Sequence, residues 1–396
     1  MTLYPALGLK HAREVTMSAA QLYSPEPNIL ERKFAARLAQ RGAERGTGAS
    51  RGRVSKLGRV TRWTIGLSAL AGIVSGGIIG GAEVWLRQGI FDGIEDAGWR
   101  DTLPYWGIFY AFAGVVSAIE IALLYALALR GIARITRHSG FRFSGGDERE
   151  LLSHSLARAG LEFPNPQVKI YGIDPYAHVW NWKLTALNIA YKLKVGVSSF
   201  ILRVFLRRVA ARMAIRGMVP LLAGPLYAVW NAYIIWRIMK EARVRTLGPL
   251  VVDNMIEAHF QSWEKCDETE KNVILHATGE MLTHGRDAHP NQIYLLTRLR
   301  KELNHDTPIA LDWATMGQEL PDLDPASQTL VLDMLTLSCL IGTRIHRGQI
   351  ALLESACQDC GTVLHKDRLR DLRKALVKGH EVTSTDLLEA RSSNAS

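Results

Sequence analysis

Two glutamates stand inside long apolar runs. Glu120 lies within "YWGIFYAFAGVVSAIEIALLYALAL", the 25 residues from Tyr105 to Leu129. Glu83 sits near the end of "SALAGIVSGGIIGGAEVWLR", Ser68 to Arg87. An ionised carboxylate is costly in hydrocarbon, so such a group marks either an interhelical hydrogen bond or a proton or cation path. Glu120, near the middle of its run, is the stronger candidate; Glu83 is close enough to an end to reach an interface. Small residues recur ahead of Glu83: Ser68, Gly72, Gly76 and Gly80, four apart, with Gly77 and Gly81 beside them. At that spacing they form a flat helix face that admits a neighbouring backbone closely. They do not form a phosphate loop, which needs a preceding strand and a Gly-x-Gly-x-x-Gly or Gly-Lys-Ser/Thr frame.

Cys357-x-x-Cys360, with His365 following, has the spacing of half a zinc site. Zinc takes four ligands, and no second Cys-x-x-Cys exists to complete the set. The run "ALLESACQDCG" is helical in pattern, where two cysteines three apart serve packing. No metal and no cofactor is therefore expected, with Cys357, Cys360 and His365 as the weak candidates. There is no nucleophile elbow, His-Glu-x-x-His, Walker sequence or carboxylate pair on one helix. No catalytic residue is expected, and the chain reads as non-enzymatic.

The elements that must carry these residues follow from length and charge. The chain has 396 residues, 47% of them hydrophobic, with a mean hydropathy near zero. That fits a few membrane segments with added soluble mass. The run at 64–86 and the run at 105–129 are each about 20 residues or more, enough to cross a ~30 Å hydrocarbon core. Aromatics open the second run at Tyr105, Trp106, Phe109 and Tyr110, as in an interfacial belt. The connection between the runs is mildly acidic, and basic residues flank the pair at Arg59, Arg62, Arg130, Arg134 and Arg137. A transmembrane hairpin over 63–130 results, with both termini cytoplasmic in an inner (plasma) membrane. The apolar run starts too far from Met1 for a secretory signal peptide.

Charge divides the chain. Residues 1–250 hold 33 Lys/Arg against 16 Asp/Glu, hence +17; residues 251–396 hold 15 against 22, hence −7. Because the basic half is also the apolar half, anionic lipid rather than nucleic acid is the expected partner. Residues 1–62 show no sustained period, and "RGAERGTGASRGRVSKLGRVTR" reads as flexible. From about 183 a basic amphipathic helix is predicted, with Arg203, Arg207, Arg208, Arg212 and Arg216 outside its apolar stripe, suited to a membrane surface. The apolar segment 217–236 is broken by Pro220 and Gly224-Pro225 and has basic flanks on both sides. It reads as re-entrant, as a membrane-embedded helical hairpin, or as a buried helix within a basic region over 131–250. A third crossing is the less favoured alternative.

Residues 251–396 form an acidic, all-α region with helices predicted at 251–264, 267–284, 290–304, 325–341, 347–359 and 366–378. Within it "HPNQIYLL" (289–296) recurs as "HRGQIALL" (346–353), each after an apolar helix, a pattern of duplicated helical hairpins. His289 and His346 open the repeated segments and are expected to cap or brace them. On this pattern, residues 265–375 resemble the TerB-like domains of tellurite-resistance and stress proteins. The resemblance implies a duplicated all-α fold and a role in stress response. It does not carry over the acidic metal loops of that family: Asp287 is out of register, and Gln292 and Gln349 stand where glutamates would be, which weakens a hard-cation site. The segment "RRVAARMAIRGMVPLLAGPLYAVWNAYIIWRIMKEAR" also resembles the middle of EcsC-like membrane-associated proteins. The expected protein is an inner-membrane scaffold or stress-response adaptor. It would oligomerise with itself through the glycine faces and recruit a cytoplasmic protein partner through its C-terminal domain. The alternative is an ion- or proton-conducting oligomer that uses Glu120.

Overall fold

A computed structural model describes residues 21–43 (except 22 and 25), 52–90, 98–140, 147–186 (except 181) and 219–393. The fold is all-α among these residues. Its longer helices are α1 (Ile29–Ala43), α2 (Arg53–Trp85), α3 (Trp99–Ser139), α4 (Asp147–Gly160) and α5 (Val219–Ala258), then α6 (Glu268–His284) and α7 (Pro290–Glu302). They are followed by α8 (Pro325–Ile341), α9 (Arg347–Asp359), α10 (Lys366–Lys378) and α11 (Ser384–Glu389). One two-stranded antiparallel ribbon is added, β1 (Thr362–Leu364) on β2 (Arg391–Ser393), with Val363 opposite Ser392.

The chain divides into two units. Unit 1 combines residues 1–58, 132–179 and 240–396; unit 2 combines 59–131 and 180–239. Each unit is therefore built from more than one stretch of chain, and the acidic C-terminal helices share a unit with α1 and α4.

Unit 2 contains the apolar parts of α2, α3 and α5. Its apolar cluster is Ile79, Leu86, Tyr105, Phe109 and Ala113, with Trp106, Val116 and Tyr227 packed against it. α2 and α3 are long and apolar enough to cross a membrane. α5 corrects one expectation. From Val219 onward the segment is one continuous helix, with no hairpin between 219 and 258. The break at Gly224-Pro225 is absorbed without ending the helix.

In unit 1, α1 is a second correction. Part of the expected flexible region is a helix packed on α4. Its buried stripe is Glu31, Ala35 and Leu38, at helical spacing but with only one large apolar residue. Glu31 is satisfied by Ser24 Oγ (2.8 Å), His154 Nδ1 (3.0 Å) and Arg158 Nη1 (3.0 Å). The C-terminal helices begin where their caps require. Asp267 and Glu270 exchange side chain–backbone hydrogen bonds at the start of α6, each 2.8 Å. Asp324 caps α8, which carries Pro325 at its first position. Gly379 ends α10 in the left-handed region that glycine tolerates, at φ 102°.

Candidate functional site

The polar site lies inside unit 2. Glu120 is 3% exposed and Asn231 2%. Asn231 Nδ2 donates to Glu120 Oε1 at 2.6 Å and lies 3.4 Å from the Ser68 carbonyl. Ser68 Oγ donates to Ile65 O at 2.7 Å and reaches Asn231 O at 3.5 Å. One residue from each of α2, α3 and α5 thus meets in a buried cluster. Hydrogen bonding of this kind is what a buried polar group requires to be tolerated.

The small-residue face explains how the helices come so close. A Cβ on Gly72 would lie 2.6 Å from the Tyr227 carbonyl carbon, and one on Gly76 would lie 2.6 Å from Gly224 Cα. Ser68, Gly72 and Gly76 therefore seat the backbone of α5 from the same chain. Gly80 is buried as well, whereas Gly77 and Gly81 are exposed, with open space at their Cβ positions. At Gly72 and Gly76 the face expected to drive self-association is covered by α5 of the same chain, and only its Gly77 and Gly81 edge stays open. Glu83 is buried rather than reaching outward.

Outside the cluster the order of polarity inverts. Leu67, Leu70, Val74 and Ile78 on α2 are exposed at helical spacing. So are Ile108, Phe112, Val115, Ile119 and Leu123 on α3, with Val115 at 61% and Ile119 at 66%. Leu226, Val229, Tyr233 and Trp236 repeat the pattern on α5. Arg203, Arg207, Arg208, Arg212 and Arg216, with the amphipathic helix predicted there, lie outside the described residues.

In unit 1 the repeated segments make matching bonds. Gln292, third in α7, donates to Ser338 O near the end of α8 at 3.1 Å. Gln349, third in α9, donates to Met281 O near the end of α6 at 3.1 Å. Both amides are buried, so these two side chains brace helix ends. His289 caps α7, its Nδ1 accepting from Asn291 N at 3.3 Å, and the His346 backbone N–H donates to Gln349 Oε1 at 3.2 Å.

Sequence reasoning missed the hub at Arg245. This buried guanidinium donates to Glu241 Oε1 (2.8 Å), Ser155 O (2.6 Å) and Asn165 Oδ1 (3.0 Å). Burial alone would raise the Glu241 carboxyl, but Arg245 and His289 pull it far below the usual carboxylate range. Local spacing shows only the Glu241 pair, four residues away, because Ser155 and Asn165 come from distant stretches of the sequence.

Cys357 and Cys360 are free thiols, the first buried and the second partly so. Burial raises both thiols, Cys360 to about 11, and this opposes the thiolate that metal binding or redox exchange needs. His365 stands at the start of α10, its backbone N–H bonded to Ala390 O at 2.8 Å. Among the described residues, the one group of three His, Cys, Asp or Glu side chains with ligand atoms within 4.8 Å of one another is elsewhere, at His178, Glu280 and His284.

In comparisons with protein-family models, curated proteins and solved structures, nothing matches this chain.

Proposed function

We propose that the chain is a non-enzymatic membrane scaffold or adaptor, with unit 2 in the bilayer and unit 1 as a cytoplasmic recruiting module. The observation that carries this reading is the inverted polarity of unit 2. Ser68, Gly72, Gly76, Glu120 and Asn231 face inward, and Leu70, Val74, Val115, Ile119 and Val229 face out. A core helix of a water-soluble protein is mostly buried, but the apolar windows of α2 and α3 are only 33% and 28% buried. Left in water, these faces would form an apolar surface beyond what soluble monomers expose. In hydrocarbon they cost nothing, and the inward hydrogen bonds are what a lipid-embedded bundle needs.

Charge supports an orientation with both ends of the α2–α3 pair in the cytoplasm, since Arg130, Arg134, Arg137 and the basic stretch before α2 flank it. The recruiting role of unit 1 rests on its acidic helices and on the TerB-like repeat, in which the Gln292 and Gln349 bonds relate two helical hairpins. The test is affinity purification of the full chain from native membranes with crosslinking. The expected result is retention in the membrane pellet at alkaline pH and a distinct protein crosslinked to unit 1. Release into the supernatant, or recovery of the chain with no other protein, overturns the reading.

A second reading, proton or cation conduction, is favoured only by the buried Glu120 carboxyl. It predicts flux in proteoliposomes that Glu120→Gln abolishes.

A further inference from the structure

We propose that His178, Glu280 and His284 form a binding site for a borderline divalent cation of the zinc class. Glu280 and His284 are one turn apart on α6, and their side chains converge with Glu280 Oε1 3.2 Å from His284 Nε2. His178 arrives from a separate loop, and its Nε2 lies 3.6 Å from the same oxygen. Two ligands bound at about 2.0–2.1 Å to a tetrahedral ion lie about 3.3–3.4 Å apart. The observed separations bracket that value. Two imidazoles and one carboxylate are also the donor set that this class of ion prefers, with a fourth position left for water.

The site is built rather than incidental. The His178 turn is closed by Val179 N bonding to Tyr176 O at 2.8 Å and Tyr176 N to Asp174 Oδ1 at 2.9 Å. Tyr176 Oη then donates to Asp287 Oδ1 at 3.2 Å, tying the turn to the loop that follows α6. The His178 and His284 rings stack at 4.7 Å between centroids, with both Nε2 atoms turned to the same carboxylate. Gly348 makes room for this: a Cβ there would lie 2.7 Å from His284 Nδ1. The His178 and His284 side chains stay partly open to solvent, which leaves an entry path.

The site owes nothing to the acidic loops of TerB-like domains, and it stands whether or not unit 2 lies in a membrane. The test uses the full chain in detergent, stripped with chelator and titrated with zinc chloride by calorimetry. One zinc per chain is expected. His178→Gln, Glu280→Gln and His284→Gln should each weaken binding by at least about tenfold, the loss seen even for outer-shell changes. Cys357→Ser with Cys360→Ser should leave it unchanged. Zinc should raise the thermal midpoint of the wild type and not of His178→Gln, whose exposed position makes failure to fold no explanation. Cobalt(II) should give the visible absorption of a low-coordinate site. No zinc binding to the wild type, or binding that survives His178→Gln, overturns the proposal.

Discussion

The carboxylates of this chain are paired in two different ways, and the difference is testable residue by residue. Glu31 is buried in unit 1. Burial pushes its carboxyl up, but the hydrogen bond from His154, the charge of Arg158 and the Ser24 hydroxyl together bring it below the ordinary value. A carboxyl depressed on folding contributes stability above its unfolded pKa and loses that contribution as pH falls through the folded value. The protection of α1 against hydrogen exchange, taken relative to the intrinsic rate at each pH, should therefore fall as the solution is taken below about pH 4, the ordinary glutamate range. Glu31→Gln should be less protected at pH 7 and much less sensitive to acid. Protection that is independent of pH in the wild type would sink this account.

Glu120 is a different case, because its 2.6 Å hydrogen bond comes from a neutral amide, that of Asn231. Removing it in Glu120→Ala strands the Asn231 amide, at a cost of about 1–3 kcal/mol. Glu120→Gln keeps an acceptor in place and should cost less than half as much. Thermal unfolding in detergent compares the two, and equal losses would show that the bond to Asn231 is not what holds the side chain. Both glutamates stand out in the sequence, Glu120 at once, but neither reveals its partner. Asn231 and His154 lie more than a hundred residues away. His284 illustrates the same limit: its i,i+4 spacing from Glu280 is visible in the sequence, but the His178 that completes the group is not.

At the scale of elements, legibility depends on caps. The helices from Glu268 to Lys378 begin and end within a residue or two of expectation, because Asp267, Pro290, Asp324 and Gly379 mark their ends. α1 was not legible, because a stripe of Glu31, Ala35 and Leu38 does not register as amphipathic. The β1–β2 ribbon was not, because three-residue strands carry no period. α5 was misread at Pro225, where an apparent break is carried by packing against the glycines of α2. That packing sets the next expectation. Gly72→Ala and Gly76→Ala should each destabilise unit 2 by about 1–3 kcal/mol, the cost of forcing atoms into a close contact. Gly77→Ala, with open space at its Cβ, should be neutral or slightly stabilising through helix propensity. If Gly72→Ala and Gly77→Ala behave alike, the glycine face does not seat α5.

At the scale of the molecule, the units do not respect the boundaries that composition draws. Residues 251–396 look like a self-contained acidic domain. Yet Asn291 donates to Val244 O, and the buried Arg245 hub ties α5 to α4 and to the 161–179 loop. A fragment starting at residue 251 should therefore be soluble only as a loosely packed state, with helical far-ultraviolet dichroism but exposed apolar surface. A sharp cooperative unfolding transition for that fragment would refute this. The other end is equally committed. The Arg391 guanidinium pairs with the buried Asp333 carboxylate, whose other oxygen lies 3.1 Å from His259 Nε2. Truncation before Arg391 leaves that charge uncompensated, at a cost of about 3–5 kcal/mol.

The interleaving of unit 1 also has a consequence for synthesis. α1 leaves the ribosome long before α4, and 103 residues lie between Ala43 and Asp147. At about 5–20 residues per second that is a wait of roughly 5–20 s. The hairpin helices are made during that interval. Through it Glu31 has neither His154 nor Arg158 to meet, and the early helix stays an unpaid half of a contact. Both long apolar helices, α2 and α3, must be made before the first helix can find a place to rest.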